Sequence, residues 1–118
     1  MYVVGGGDKQ IHKGGIMRTV EEKDFENEVK KGLTLVDFYA TWCGPCRIMG
    51  NMLPEIEEQV GENVNIIKVD VDDAENLARK LGIMSIPTLM IFKDGEMVEK
   101  HIGLWQVDDC VQTIKNYM

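Results

Sequence analysis

Two cysteines stand two residues apart in Trp42-Cys43-Gly44-Pro45-Cys46, at the junction of an apolar run (33–40) and a helix-like stretch. Two thiols at that spacing can form and break a disulfide. A helix start adds unpaired backbone N–H groups and the positive end of the macrodipole. Both favour the thiolate, which is the nucleophilic form of cysteine. Pro45 fits a first helical turn because its missing N–H would have had no intrahelical partner. Gly44 has no side chain to block approach to the sulfur. Cys43, ahead of the helix proper, is expected to be the more exposed thiol and the attacking one. Cys46, about one turn further on, is expected to resolve the mixed disulfide that results.

A Cys-x-x-Cys pair can also be half of a zinc site, which needs two more ligands. Cys110, His12 and His101 are the remaining candidates. None of them makes a second pair at ligand spacing, whereas the strand-then-helix context favours redox chemistry. No metal and no bound cofactor is therefore expected. Asp37 interrupts an apolar strand pattern. It is either an outward-facing strand residue or a buried carboxylate that costs stability unless paired or protonated. Lys68, between Ile67 and Val69, is either a snorkelling stem at a sheet edge or a cation that tunes a neighbouring acid. Cys110 falls on the apolar face of a C-terminal helix and is read as a small core hydrophobe.

The elements that must position these residues alternate. A short strand is expected over 16–20, a helix over 22–31 stopped by Gly32, and a buried strand over 33–39. The long helix spans 43–60 and ends at Gly61. A strand over 64–71 follows, then a helix through Leu81 capped by Asp72 or Asp73. Strands over 88–92 and 97–102 flank the hairpin signal Lys93-Asp94-Gly95-Glu96. Val107, Cys110, Val111, Ile114 and Tyr117 mark one face of the last helix. Right-handed βαβ crossovers then give an α/β fold, a mixed central sheet of about five strands flanked by about four helices.

Residues 1–15 differ in composition. Gly5, Gly6, Gly7, Gly14 and Gly15 are interleaved with Asp8, Lys9, His12 and Lys13, as in a flexible linker. They read as an expression scar or a natural extension without chemistry, with Tyr2-Val3-Val4 a possible edge strand. The domain proper is 16–118. A chain of 118 residues is one domain with one real core. A net charge of −7 argues against nucleic-acid binding, which relies on clustered Lys and Arg, and against docking on an anionic membrane. No segment approaches the ~20 apolar residues of a membrane span. Three cysteines are too few for a disulfide-stapled secreted domain. With no secretory signal visible, the cytoplasm is the expected compartment.

Trp42-Cys43-Gly44-Pro45-Cys46 closely resembles the active-site segment of the thioredoxin family, and the likeness continues downstream. Asp37 lies six residues before Cys43, and Ile86-Pro87-Thr88 follows Cys46 by about 41 residues. Ile67-Lys68-Val69-Asp70, Phe92-Lys93-Asp94-Gly95 and Gly103 also match. The resemblance covers about 16–118 and implies the thioredoxin fold and protein disulfide reduction by dithiol–disulfide exchange. It implies that Asp37 accepts a proton from Cys46, that Lys68 tunes Asp37, and that Pro87 is a cis proline beside the disulfide. From the residues alone, Pro87 could equally be a trans proline opening an edge strand. Trp42, Gly44, Pro45, Ile86, Pro87 and Gly103 would form the docking surface, with Trp105 as packing near the last helix. Implied partners are a thioredoxin reductase and clients such as ribonucleotide reductase, peroxiredoxin and methionine sulfoxide reductase, met by a monomer.

Two departures stand out. Tyr39 occupies a position where many members carry tryptophan. Asn51 replaces a helix proline, so that any kink should move about one turn to Pro54. Two rivals share the fold. One is an oxidase or isomerase, against which the intervening Gly-Pro argues, because oxidising relatives usually carry histidine there. The other is a binding module whose thiols are incidental.

Overall fold

The computed structural model describes residues 17–118. The Gly-rich segment 1–15, its possible edge strand and His12 lie outside the described residues, as does Ile16.

Strand β2 (Leu33–Tyr39) is the centre of the molecule, with every residue buried except the half-exposed Tyr39. It pairs in parallel with β3 (Val64–Asp70) and antiparallel with β4 (Thr88–Lys93). Strand β1 (Arg18–Thr19) pairs with β3 at one edge, and β5 (Glu96–Ile102) pairs with β4 at the other. The five-stranded order is β1-β3-β2-β4-β5. Covering on both faces is what a near-continuous apolar strand requires.

The two faces follow from side-chain alternation. Leu35, Ile66, Leu89 and Ile91 pack against helix α2 (Gly44–Val60) and helix α4 (Val107–Asn116), with Met49, Leu53, Ile56, Cys110 and Ile114 across from them. Val36, Phe38, Ile67, Val69 and Met90 point the other way. They pack on Phe25 and Val29 of helix α1 (Phe25–Val29) and on Leu77 of helix α3 (Glu75–Lys80). Each such large apolar side chain contributes roughly 1.5–3 kcal/mol on full burial. Asp94 and Gly95 both take positive φ, at 50° and 91°, as a two-residue hairpin turn demands. Asp94 Oδ1 also accepts from the Gly32 N–H at 2.8 Å, which ties the hairpin to the start of β2.

The helix expected over 22–31 is instead a 3-10 turn at Glu22–Asp24 followed by the five-residue α1. Its apolar anchors are only Phe25 and Val29, one turn apart, so packing organises that turn and little beyond it. The strand expected over 16–20 is resolved as the two residues of β1. The N-cap of α3 is Ala74, with no side-chain cap bond, rather than Asp72 or Asp73. Helix α2 contains Pro54 yet continues to Val60. Pro54 offers no N–H to Gly50, but Met49, Leu53, Ile56 and Val60 seat both halves of the helix on the sheet.

Leu53 is fully buried and Ile48, on the outer face of the same helix, is 53% exposed. Leu53→Ala should lower stability by about 2–5 kcal/mol, while Ile48→Ala should stay within about 0.5 kcal/mol of the parent. Urea melts of the two variants check this. Equal losses would mean that α2 does not pack on the sheet through the Leu53 face.

Candidate active site

Cys43 and Cys46 are joined in a disulfide, with their Cα atoms 5.2 Å apart. The chain leaves β2, crosses Ala40-Thr41-Trp42, and enters α2 with Cys43 as the N-cap residue in extended conformation. The Cys46 backbone N–H donates to Cys43 Sγ at 3.2 Å. An N–H aimed at a sulfur, at the positive end of a seventeen-residue helix, stabilises negative charge on that sulfur. Cys43 is 6% exposed and Cys46 3%. The expected order of exposure holds, but the gap is small and both cysteines are buried.

The Ile86–Pro87 peptide bond is cis, so the trans reading of Pro87 does not apply. The Ile86 carbonyl oxygen lies 3.9 Å from Cys43 Sγ. Pro87 is buried and Ile86 half-exposed. The loop is tied on both sides. Thr88 Oγ1 donates to the Ser85 carbonyl at 2.7 Å, and the Gly103 N–H donates to the Pro87 carbonyl at 2.8 Å. Gly103 has φ +93°, a conformation that glycine adopts without strain. Gly44 and Pro45 are exposed in the first turn of α2. The structure therefore brings Cys43, Gly44, Pro45, Ile86, Pro87 and Gly103 around the disulfide.

Trp42 is 68% exposed, and its indole N–H donates to Asp72 Oδ2 at 2.8 Å. The sequence offers Asp72 or Asp73 as a helix cap and does not reveal this contact. The only available signal was the acidic run Asp70-Val71-Asp72-Asp73, which does not reveal a partner thirty residues away. Trp105 is buried; its ring stacks on His101 at 4.6 Å, and its backbone N–H donates to Met49 Sδ at 3.3 Å. It is a packing residue, as expected.

Asp37 is fully buried, and neither carboxylate oxygen has a hydrogen-bond partner among the described residues. The outward-facing alternative is thereby excluded. Asp37 shares its face with Leu35, the face toward α2. Burial pushes its carboxyl up to about 7, against the opposing pull of the Lys68 ammonium. Lys68 is the register partner of Asp37 across β2 and β3 and is half-exposed. Its Nζ lies over the Tyr39 ring, 4.3 Å from the centroid. Cys110 is fully buried, and burial drives its thiol up to about 12, which leaves it inert at neutral pH. Among the described residues no three His, Cys, Asp or Glu side chains are grouped to hold a metal ion. No described helix is long and apolar enough to cross a membrane.

Known proteins place this geometry in context. The thioredoxin family model matches residues 16–116. The thioredoxin of Listeria monocytogenes is 44% identical over 103 residues, covering 87% of this chain and all of that protein. Among solved structures, a mutant thioredoxin from Halobacterium salinarum superposes with a TM-score of 0.77 at 32% identity, over 86% of this chain and 88% of that one. A chain from a structural study of thiol resolution in yeast mitochondrial 1-Cys peroxiredoxin via glutathione/thioredoxin systems gives a TM-score of 0.76 at 30% identity, over 88% and 97%. With a redox-active Cys43–Cys46 pair at the head of α2 and a family match spanning the described sheet and helices, the chain belongs to the thioredoxin family and is a protein-disulfide oxidoreductase.

Proposed function

We propose that the chain reduces client disulfides in two steps, with Cys43 attacking and Cys46 resolving. The observation that carries this is the Cys46 N–H held on Cys43 Sγ at the start of α2. The Cys43 thiolate attacks one client sulfur, forms a Cys43–client bond and expels a client thiolate. Cys46 loses its proton, attacks Cys43 Sγ and expels the second client thiolate as the Cys43–Cys46 disulfide forms. Two electrons pass to the client, and both of its thiolates are protonated. Asp37 is the acceptor of the Cys46 proton. A carboxyl poised near 7 can take a proton from a thiol and return it at neutral pH. Lys68 lowers the cost of ionising Asp37.

In this reading the client lies across Trp42, Gly44, Pro45, Ile86, Pro87 and Gly103. The half-exposed Ile86 offers its backbone to an extended peptide, as in strand addition, and the Asp72 hydrogen bond restrains Trp42. A thioredoxin reductase regenerates the dithiol. Peroxiredoxin, ribonucleotide reductase and methionine sulfoxide reductase are the proposed clients. The peroxiredoxin assignment draws on the yeast study of thiol resolution noted above. The proposed setting is the reducing cytoplasm, with the protein acting as a monomer. Two active thiols and one inert buried thiol suit that compartment.

Cys43 should alkylate much faster than Cys46 in the reduced protein. Cys43→Ser should abolish insulin reduction, whereas Cys46→Ser should accumulate mixed disulfides with clients. Equal alkylation rates, or the absence of a trapped adduct, would overturn the assigned order.

Asp37 ties stability to pH with a definite sign. Its folded pKa of about 7 lies above the unfolded value of about 3.9. Between those values the folded protein retains a proton that the unfolded chain has released. Stability from this group is therefore fully present below about pH 3.9 and declines as pH rises to about 7. Asp37→Ala should raise stability near neutral pH by about 1–4 kcal/mol and slow insulin reduction. Denaturant melts at several pH values, paired with turnover, check both halves. A variant that is less stable or equally active would remove Asp37 from the role.

A further inference from the structure

Tyr39 stands where many family members carry tryptophan, and its ring is engaged with a cation. The register explains the arrangement. Thr19, Lys68 and Asp37 lie in one row across β1, β3 and β2, and Tyr39 follows Asp37 by two residues on the same face of β2. Lys68 Nζ sits 4.3 Å from the Tyr39 ring centroid. Nζ also lies close to α2, where a Cβ added at Gly50 would be 3.5 Å from it. The Tyr39 hydroxyl is 3.4 Å from Thr19 Oγ1. Among the described residues no carboxylate ion-pairs with Lys68. The ammonium thus rests over an aromatic ring and close to α2, with no ion pair to the acid whose register it shares.

We propose that Tyr39 is a positioning residue for the proton-transfer step: its ring holds the Lys68 ammonium by a cation–π contact at a set distance from Asp37, and so fixes how strongly that cation favours the ionised carboxylate. This rests on the reading of Asp37 as proton acceptor and Lys68 as its tuning charge, and deepens it. An ammonium free to swing into water would be screened and would act weakly on a buried acid. One seated directly on the carboxylate would hold it ionised through the cycle and unable to keep a proton.

The groups facing Asp37 are few. Strand β3 presents Lys68 and, opposite Tyr39, Asp70, whose carboxylate accepts the Asp72 N–H. Strand β4 places the apolar Leu89 opposite Asp37, with His101 of β5 beyond it, stacked on Trp105. The Met49 and Leu53 side of α2 is apolar, with Cys46 at its head as the reacting thiol, and α4 offers only the neutral Cys110. Lys68 is therefore the cation beside Asp37 among the described residues, and the group that holds Lys68 in place controls the coupling.

The test is a carbon-13 NMR titration of the Asp37 carboxyl in full-length protein, with pH profiles of insulin reduction alongside. The variants are Lys68→Met, Tyr39→Leu, Tyr39→Phe and pentafluorophenylalanine at position 39. Lys68→Met should move the Asp37 midpoint upward. Tyr39→Leu should move it in the same direction by a smaller amount, and the activity profile should follow. Tyr39→Phe keeps the ring and should leave the midpoint in place. The fluorinated ring keeps the shape but reverses the electrostatics of its face, so it should act like leucine. It also serves as the decisive variant if Tyr39→Leu fails to fold. A midpoint that moves in Lys68→Met but not with the fluorinated ring overturns the role of Tyr39 and leaves the Asp37–Lys68 reading standing. A midpoint unmoved in Lys68→Met overturns that reading itself.

Discussion

A carboxyl group buried in the middle of the central strand is the constraint around which this molecule is arranged. Asp37 has no hydrogen-bond donor among the described residues and no exposure. An ionised carboxylate in such a place is expensive, and the protein answers by letting it keep its proton to about 7. Strand β2 can carry that group because Leu33, Leu35, Val36 and Phe38 are buried on both faces. The same strand delivers the chain to Cys43 five residues past Phe38. The apolar frame thus supports a destabilising acid and directs the chain to the pair of thiols.

The site is assembled from pieces that are each stable for ordinary reasons. The start of α2 supplies a donor to sulfur because every helix start has unpaired N–H groups. The Ile86–Pro87 loop is held by Thr88 on one side and Gly103 on the other, so its backbone is already fixed beside the disulfide. Trp42 is exposed yet restrained through Asp72.

Much of this could be read from residue order, for physical reasons. The apolar run of β2 and the 3,4-spaced residues of α2 and α4 each specify an element by local periodicity. The Cys43-Gly44-Pro45-Cys46 segment carries its chemistry within four residues. Asp37 announced itself by being charged where its neighbours are not. The losses came where tertiary packing decides. The stretch over 22–31 had acidic residues and a plausible period, but only Phe25 and Val29 find a core, so one turn of α-helix forms. Asp72 looked like a cap because caps are local, while its partner Trp42 is thirty residues away. The seating of Lys68 on Tyr39 depends on strand register between β2 and β3, which no single segment encodes.

The central claim is that buried Asp37 takes the proton from Cys46 when the mixed disulfide resolves. Stopped-flow reaction of the fully reduced protein with Ellman's reagent isolates this step. The first thionitrobenzoate reports attack by Cys43, and the second reports attack by Cys46 on the mixed disulfide. In the parent protein the second phase should accelerate as pH rises through about 7 and then level off, following ionisation of Asp37. In Asp37→Asn that inflection should vanish and the phase should slow near neutral pH, while the first phase changes little. Superimposable second-phase profiles for the two proteins would contradict the claim.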